Sequence, residues 1–409
     1  MSFGIALSGL NAAQTDLNVT ANNIANSSTT GFKQSRSEFA ELFAVSPQGV
    51  SSNQFGNGVK VAAVAQQFTQ GNINTTNNSL DLAMSGQGFF VLSDGGARAY
   101  TRAGAFQVDN SGYVVNSQGQ RLQVYPPATT GNFNTSTMGD LRLVTSESPP
   151  QATSEVETVF NLPANAQPPT VTTFDPADPT SFNEARSITI YDSLGAAHTT
   201  SMYFVKTANP NEWQMNVYVD GNAVGTAQTL QYSSTGALTD PTNGRITLPS
   251  YDSTLGLATG AAPIDLTFDI ARTTQYGDKF GMTSSTQNGF TTGRLIGIDV
   301  DSTGVVLARF TNGRSTSLGQ VAVANFSNPQ GMQQLGNTNW SETNASGQAL
   351  FGQAGGSGYG LIQSGALEAS NVDITAQLVN MITAQRNFQA NAQMIQTADQ
   401  VTQTIINIR

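Results

Sequence analysis

The chain has 409 residues, a hydrophobic fraction of 38%, only 11% charged residues and a formal net charge of −10. Its length exceeds the usual size of a single core and predicts two or more domains. The acidic balance excludes a nucleic-acid surface, which needs clustered Lys and Arg. The absence of cysteine excludes disulfides and thiolate sites.

The N-terminal segment is predicted to be a helix with a narrow apolar stripe. Apolar positions recur at intervals of 4, 3, 4, 3, 4 and 3 residues, with one polar interruption: Phe3, Leu7, Leu10, Gln14, Leu17, Ala21 and Ile24. This repeat is typical of helices that pack along one seam. The segment lacks a basic region followed by a continuous apolar core, so we expect no cleavable secretory signal. No stretch of the chain approaches the ~18 apolar residues of a membrane span.

The middle of the chain is predicted to consist of β-strands, because apolar residues there recur at every second position. Residues 89–125 and 186–206 contain short strands separated by turns, and two further strands are predicted at Leu295–Val300 and Val305–Phe310. Two central segments each place four apolar residues on one face: Trp213, Met215, Val217 and Val219, then Ile264, Leu266, Phe268 and Ile270. Asp220-Gly221 is a good hairpin dipeptide. Strands do not alternate with helices, so we expect all-β domains.

Residues 148–285 are predicted to form a separate domain. They hold 13 acidic and 5 basic side chains, whereas the rest of the chain carries a net charge of only −2. Two Pro-rich stretches, near Pro149 and ending at Pro179, indicate a boundary and a long surface connection. This distribution is expected if the acidic domain faces solvent while the remainder makes contacts.

The C-terminal segment repeats the pattern of the N-terminal one. Its stripe comprises Ile374, Leu378, Met381, Gln385, Phe388, Ala392 and Ile395. Asp373 or Asn371 could cap the helix, which would measure about 50 Å up to Ile408. Two interpretations are open: the stripes pack on each other within a monomer, or the helices are stable only among copies in a polymer. Residues 1–32 contain one ionisable side chain, Asp16, and such charge-poor faces cost little to desolvate, which favours a polymer.

The single histidine, His198, lies in a predicted hairpin. A Ser-His-Asp arrangement around it is formally possible, but an exposed strand residue in an acidic domain is favoured. One histidine and no cysteine exclude the paired spacings of common metal sites.

Three further motifs imitate functional sites. Residues 299–306 resemble a calcium-binding loop in Asp299, Asp301 and Gly304 but lack the terminal Glu, so a tight turn between strands is predicted. Residues 355–360 are Gly-rich without the Lys-Ser/Thr of a phosphate loop, and we expect a flexible joint between the β layer and the C-terminal helix. Glu155 and Glu157 could imitate a glycosidase pair but are expected to be solvated. We predict no catalytic, cofactor or metal site; a secreted carbohydrate-active enzyme is the alternative from another functional class.

Four segments resemble the bacterial flagellar rod and hook axial protein family. LSGLNAAQTDLNVTANNIANSSTTGFKQSRSEF is similar to its N-terminal signature and SGALEASNVDITAQLVNMITAQRNFQANAQMIQTADQ to its C-terminal signature. SLDLAMSGQGFFVL and YTRAGAFQVDNSGYVVNSQGQRL resemble its internal motifs. The length and the insert at 148–285 resemble the hook members of the family; a distal rod or hook-associated axial protein is the alternative.

The order of elements predicts a mainly β, nested multi-domain chain with two all-β domains and paired terminal α-helices in a coiled-coil-like inner domain. We expect four parts: residues 1–30 with 370–409 as the inner-tube helices, 31–70 with 355–369 as an extended connection, 71–147 with 286–354 as a β-rich middle domain, and 148–285 as the acidic outer domain. The small neutral residues from Asn22 to Gly31 would let the chain pass closely between neighbours.

The resemblance implies a structural subunit of the extracellular hook. Such a subunit assembles with copies of itself into a curved hollow helical tube, a flexible universal joint that transmits motor torque from rod to filament. It also implies export by the flagellar type III apparatus and contacts with the distal rod, hook cap and hook–filament junction proteins. No nucleic acid, small-molecule substrate or cofactor is expected. The predicted subunit-interface residues are Leu7, Leu10, Leu17, Ile24, Phe32, Ile374, Leu378, Met381, Phe388 and Ile395.

Overall fold

A computed structural model describes residues 2–42, 56–128, 132–143, 147–257 and 260–407. Part of the expected connection at 31–70, and Ile408, lie outside these residues. Clustering of the backbone gives two compact units: Met1–Thr145 with Gly297–Arg309 and Ser315–Arg409, and Ser146–Ile296 with Phe310–Arg314. No helix in the described part of the chain is long and apolar enough to cross a bilayer.

Within the described residues, two α-helices stand at the two ends of the chain. They are α1 (Ser2–Ala25) and α2 (Ile374–Asn407), and a 3-10 turn covers Pro329–Gly331. Asp373 caps α2, because its Oδ1 accepts the backbone N–H groups of Thr375 at 2.8 Å and Ala376 at 3.1 Å. The helices run antiparallel: Gly9 lies against Asn391, and Asn23 donates to Gln377.

The first unit contains the strands nearest the two helices. The strands that follow α1 are β1 (Ser35–Glu41), β2 (Val59–Gln66), β3 (Ile73–Thr75), β4 (Leu82–Ser85), β5 (Phe89–Asp94), β6 (Ala97–Thr101), β7 (Gln107–Val108), β8 (Val114–Val115), β9 (Arg121–Tyr125) and β10 (Gly139–Asp140). β1 and β2 form an antiparallel ribbon beside α1. The expected extended connection is therefore a hairpin in its described part.

The second unit is a sandwich of two sheets. Its strands are β11 (Glu155–Pro163), β12 (Glu184–Tyr191), β13 (Ala197–Lys206), β14 (Glu212–Val219), β15 (Asn222–Ala223), β16 (Gln228–Tyr232), β17 (Leu238–Asp240), β18 (Arg245–Thr247), β19 (Thr267–Asp269), β20 (Thr274–Tyr276) and β21 (Gly281–Gln287). One sheet has the order β18-β19-β11-β20 with β21 on β11, and the other has the order β12-β13-β14-β16-β17.

The core of this sandwich contains both apolar faces predicted from the sequence, although in the second segment only Thr267–Asp269 is a strand. Every member of the two predicted apolar faces is buried: Trp213, Met215, Val217, Val219, Ile264, Leu266, Phe268 and Ile270. After β14 the chain turns at Asp220 and Gly221, whose φ angles are +49° and +84°. Two consecutive positive φ angles are those of the predicted hairpin turn.

The remaining strands lead back to α2. They are β22 (Leu295–Val300), β23 (Val305–Phe310), β24 (Ser315–Asn325), β25 (Gln333–Gly336), β26 (Asn339–Ser341), β27 (Leu350–Gln353), β28 (Leu361–Ser364) and β29 (Ala366–Glu368). A large sheet has the order β22-β23-β24-β9-β5-β6-β26-β25. β5 buries both faces, with Phe90 and Leu92 in one cluster and Phe89 and Val91 in another. β28 pairs with β4 and β29 with β3, so the two arms of the chain that join the helices run together.

Two sequence expectations are wrong. His198 is not exposed: its ring is buried between two carboxylates, with Nδ1 2.6 Å from Asp220 Oδ2 and Nε2 3.4 Å from Asp192 Oδ2. The Gly-rich residues 355–360 do not adjoin the C-terminal helix. They form a turn closed by a 3.0 Å hydrogen bond from Gly355 N to Gly360 O, and β28 and β29 follow it. Local sequence did not reveal the burial of His198, because it depends on Asp220, a partner 22 residues away.

The small neutral residues from Asn22 to Gly31 are partly helical. The first of these residues belong to α1, which ends at Ala25, and turns follow up to Gly31. Gly31 has a φ of +68°, and a Cβ there would lie 2.5 Å from the backbone nitrogen of Ala103. The close approach at Gly31 is therefore made to the chain's own β-layer.

Candidate assembly surface and its buried junction

The two terminal helices meet through small and polar side chains. On α1 the buried positions are Ala6, Ala12, Ala13, Thr20 and Asn23, and on α2 they are Gln377 and Ala384. Gly9 allows the closest approach, since a Cβ there would lie 2.6 Å from Asn391 Oδ1. The helices thus pair within one chain, and no member of the predicted α1 stripe is fully buried.

Much of the α1 stripe is left at the surface. Leu7 has 43% of its surface exposed and Phe3 has 54%, while Leu10, Leu17 and Ile24 are half-buried. On the helical wheel the stripe lies beside the small-residue face: Leu17 and Ile24 border that face, and Leu7 lies farther from it.

The predicted α2 stripe divides into two parts. Met381, Phe388 and Ile395 are half-buried, and their spacing places them on the same face as the buried Gln377 and Ala384. Two other members, Ile374 and Leu378, are 49% and 47% exposed. The structure therefore does not bring the predicted interface residues together as one seam.

We call the exposed apolar side chains of the two helices the apolar stripe: Phe3, Ile5, Leu7, Ile374, Leu378, Val379, Ile382, Met394, Val401 and Ile406. Many large exposed apolar side chains on one pair of helices indicate an interaction surface. Charge is nearly absent around them, and the structure contains no salt bridge to Asp16, Arg386 or Asp399 among the described residues.

Side-chain amides at the helix ends form hydrogen bonds with the backbone of the segment that follows α1. Asn23 behaves like a strand partner of Ser35: its Nδ2 donates to Ser35 O at 2.8 Å and its Oδ1 accepts Ser35 N at 2.9 Å. Just before α2, the side-chain amide of Asn371 also bonds two backbone groups: it accepts a hydrogen bond from Gln34 N at 2.8 Å and donates one to Gln67 O at 2.8 Å. Asn371 is therefore a junction residue, and Asp373 is the helix cap.

A buried ion cluster lies beside this junction. Lys33 Nζ is 2.6 Å from Glu368 Oε1, and Arg102 Nη1 is 3.3 Å from Glu368 Oε2. The side chains of Lys33 and Glu368 are fully buried, and that of Arg102 is 5% exposed. Gly71 N also donates to Glu368 Oε1 at 2.9 Å, and Lys33 donates to Thr69 O at 2.7 Å. One carboxylate thus joins both arms of the chain to the β-layer.

The cluster carries an excess of positive charge, because two cations face one carboxylate. Burial lowers the pKa of Lys33 and of Arg102, and the carboxylate of Glu368 offsets only part of that effect. This cluster was not predicted from the sequence. A usable signal was present, because Lys33 and Glu368 are charged residues within otherwise charge-poor signature segments.

A polar groove opens beside the end of α1, and we call it the junction groove. It is lined by Asn22, Asn26, Thr29, Phe32, Lys33, Gln66, Gln334, Gly336, Asn337, Thr338, Asn339 and Trp340. Trp340 Nε1 donates to Gln66 Oε1 at 2.6 Å. Asn337 and Thr338 form the β25–β26 turn with φ angles of +51° and +57°; this region is sparsely populated for a β-branched residue.

The motifs that imitated catalytic sites make structural contacts. Glu155 and Glu157 pair with Arg245 and Arg272 instead of facing each other across a cleft. Asp301 Oδ1 accepts the backbone N–H groups of Thr303 and Val305, which is the predicted tight turn. No group of three or more metal-ligating side chains occurs in the described ranges.

Four family models match parts of the chain. They are the flagella basal body rod protein model at residues 3–33, the flagellar hook protein FlgE/F/G D1 domain at 83–173, the flagellar basal body protein FlaE D2 domain at 161–290 and the flagellar basal body rod FlgEFG protein C-terminal model at 363–408.

Full-length relatives decide the family. The chain is 39% identical to the flagellar hook protein FlgE of Escherichia coli strain K12 over 420 residues, covering 100% of both chains. The chain belongs to the flagellar hook protein family. The hook protein FlgE of Borreliella burgdorferi is 32% identical to it, with 98% of each chain covered. The chain is thus a structural subunit of the hook, an extracellular part of the flagellum attached to the basal body.

A solved structure supports the fold of this hook subunit. The crystal structure of Helicobacter pylori flagellar hook protein FlgE2 matches with a TM-score of 0.55 and 13% identity, covering 72% of this chain and 100% of that chain. The mainly β architecture with terminal helices, predicted from the sequence, is confirmed.

Proposed function

We propose that this hook subunit polymerises through its terminal helices into the inner wall of a curved hollow tube that acts as a flexible joint between rod and filament. One observation carries the proposal: the helices pair through small residues, while Leu7, Ile374 and Leu378 remain exposed. A soluble monomer gains nothing from such an arrangement, but a lattice of copies buries these residues.

The energy available from this burial is large for a charge-poor surface. At ~25 cal/mol per Å² and ~100 Å² of buried surface, each large apolar side chain contributes on the order of 2 kcal/mol. Exposed ion pairs contribute about 0–1 kcal/mol each. Contacts between different faces of neighbouring copies generate an open helical assembly rather than a closed ring, as a tube requires.

The nested order of the chain supports a radial arrangement of four parts. The parts are residues 1–30 with 370–409 as the inner tube, 31–70 with 355–369 as the connection, 71–147 with 286–354 as the middle domain and 148–285 as the outer domain. The predicted interface residues on the inner part are Leu7, Leu10, Leu17, Ile24, Phe32, Ile374, Leu378, Met381, Phe388 and Ile395. Bending requires neighbours to slide, and uncharged polar contacts tolerate sliding better than fixed ion pairs.

The partners follow from this place in the flagellum. The distal rod lies at one end of the hook and the hook cap or hook–filament junction proteins at the other, and the type III export apparatus delivers the subunit. The rod family models match the two chain ends, so a rod or hook-associated role is the second candidate. The full-length alignment to hook proteins favours the hook, and imaging a labelled chain in the flagellum tests it.

We propose no catalytic turnover by this subunit. The acidic pair that imitated a glycosidase site is engaged by arginines, and the sole histidine is held between two carboxylates. Glycan hydrolysis by the purified chain, lost on changing Glu155 or Glu157 to Gln, would contradict this.

The assembly proposal is tested with Leu7→Gln and Leu378→Gln. Both side chains are half exposed in the single chain, so each change should alter the free energy of unfolding by no more than about 0.5 kcal/mol. We expect electron microscopy of the concentrated variants to show few or no tubes. Leu194→Gln is the matched control, because Leu194 is at least as exposed but lies in the outer sandwich. Normal tube growth by both helix variants would contradict the proposal.

A further inference from the structure

The second helix extends beyond the first. Gly9 is level with Asn391 and Asn23 with Gln377, so the first residue of α1 is level with residue 398. α2 continues to Asn407, which leaves about 13 Å of helix past the level of Ser2 at ~1.5 Å per residue. We call residues 399–407 the overhang.

The overhang is exposed on all of its described side chains. Val401 and Ile406 are 58% and 67% exposed, and Gln400, Thr402 and Gln403 are also exposed. An isolated helical extension gains little stability from its backbone alone in water. A helix that leaves two large apolar residues in solvent beyond its only helical neighbour needs a partner surface.

The junction groove lies at the other end of the helical hairpin. It is formed around the last turn of α1, where Asn22 and Asn26 line it. Residue 22 is level with residue 378, so the groove is about 33 Å from Gln400 along α2 at ~1.5 Å per residue. A chain therefore cannot place its overhang in its own groove, but the next copy in an axial row can.

The chemistry of the two surfaces matches. The groove is lined mainly by amides and hydroxyls, with the aromatic rings of Phe32 and Trp340, and the overhang presents glutamines, threonines and the exposed apolar side chains of Val401 and Ile406. The charges are also complementary. Lys33 is the only ionisable residue that lines the groove and belongs to a cluster with excess positive charge, and Asp399 is the only ionisable residue among 399–407.

Backbone conformation gives the groove a second distinguishing feature. Its rim includes Thr338, held at a φ of +57°, a conformation that costs a β-branched residue free energy and that clusters at ligand-binding positions. Thr101 Oγ1 donates to Thr338 O at 2.8 Å, which fixes this turn in place. The groove is thus a built surface rather than a gap between loops.

We propose that the overhang of one copy binds in the junction groove of the next copy along the tube axis. This contact rests on the polymer proposed above and specifies its axial register. Because each copy offers an overhang at one end and a groove at the other, the contact repeats without closing and produces a row of subunits. Val401 and Ile406 supply the apolar contact, and the excess positive charge of the buried cluster attracts Asp399 without direct contact.

Paired cysteines test the proposal in the full-length chain, which has none of its own. The variant Asn22→Cys with Gln400→Cys is assembled at high concentration, oxidised and separated under denaturing, non-reducing conditions. We expect a ladder of covalent multimers. The dilute monomer should give none, because a disulfide needs Cα atoms within about 7 Å.

The matched control is Asn22→Cys with Gln393→Cys. Gln393 is also exposed and lies two turns earlier on nearly the same face of α2. We expect roughly tenfold less cross-linking from this pair, since a two-turn shift of about 10 Å exceeds disulfide reach. Equal ladders from both pairs would overturn the proposal, as would dimers formed by Gln400→Cys alone, which would mean that overhangs pair with each other.

A second measurement covers failure of the double variant to assemble. The two single variants are each diluted into an excess of unmodified chain and polymerised together. Heterodimers joining Cys at 22 to Cys at 400 are expected; tubes without them would overturn the overhang contact and leave the assembly proposal intact. Absence of tubes from the unmodified chain at all concentrations would instead contradict the assembly proposal.

Discussion

The outer sandwich and the terminal helical hairpin bury different kinds of side chain. The sandwich buries large residues such as Trp213, Phe204 and Phe268 between its own sheets. The hairpin buries alanines and polar residues such as Ala13 and Asn23, and leaves Leu7 and Leu378 at the surface. One region completes its core within a single chain. The other buries mainly small and polar residues and leaves large apolar residues exposed.

The difference has an energetic cause. Burying an alanine removes little apolar area from water, whereas a fully buried Leu or Phe contributes about 1.5–3 kcal/mol. A pair of helices held by small residues and a few amide bonds is marginal in dilute solution.

Removing residues 374–409 should have the largest effect, because it should abolish tube formation and leave the stability of the sandwich unchanged. We expect no tubes at any concentration, because the truncated chain lacks seven of the ten side chains of the apolar stripe. The thermal transition of the outer sandwich should be unchanged, because its core contains no residue of α2. Tube growth by the truncated chain, seen by electron microscopy, would break the comparison.

Amide exchange should separate the two regions in the dilute monomer. Residues 5–25 are expected to exchange roughly a thousandfold faster than the amides of β13 and β14, because local opening of a poorly packed helix needs far less free energy than global unfolding. In assembled tubes the difference should shrink. Strong protection of residues 5–25 in the monomer would show that the hairpin is already complete.

Substitutions of different residues in the buried cluster at the junction are expected to lower the free energy of unfolding by unequal amounts. Glu368→Gln leaves Lys33 and Arg102 as two buried cations without a carboxylate, which should cost about 3–5 kcal/mol of unfolding free energy in the first unit. Lys33→Met keeps the Arg102–Glu368 pair and should cost much less. Chemical denaturation followed by a probe in the first unit measures both. Equal losses would mean that the excess positive charge plays no part.

The smallest predicted change is a loss of stability of the sandwich at acid pH. Burial alone would raise the pKa of Asp192, but the backbone N–H groups of Ala196 and Leu194, together with His198, hold it below its ordinary value. Stability from this carboxylate is therefore present above the unfolded pKa of about 3.9 and lost as pH falls through the lower folded value.

Asp192→Asn tests this dependence in the same pH range. The variant should lose about 1–2 kcal/mol at neutral pH and show a flatter decline below pH ~4 than the unmodified chain. Parallel curves for the two proteins would show that Asp192 does not contribute to acid unfolding. Asp178→Asn is a useful comparison, since Asp178 is an exposed loop carboxylate whose pKa is lowered by local bonds to Thr180.

The sequence by itself determined the elements of this protein and the faces of its strands. Alternation placed Trp213 and Phe268 in the core, the 4-3 spacing indicated both terminal helices, and the predicted start of α2 at Ile374 is correct. Periodicity is sufficient here because side-chain direction within one element depends only on backbone geometry.

The tertiary structure alone decided which faces meet. It paired the helices through their small residues, brought Lys33 and Glu368 together across 335 positions and buried His198 between Asp192 and Asp220. It also assigned the capping role to Asp373 and a junction role to Asn371. No local pattern encodes these contacts, because a stripe or a charge in sequence specifies what needs a partner but not which distant segment supplies it.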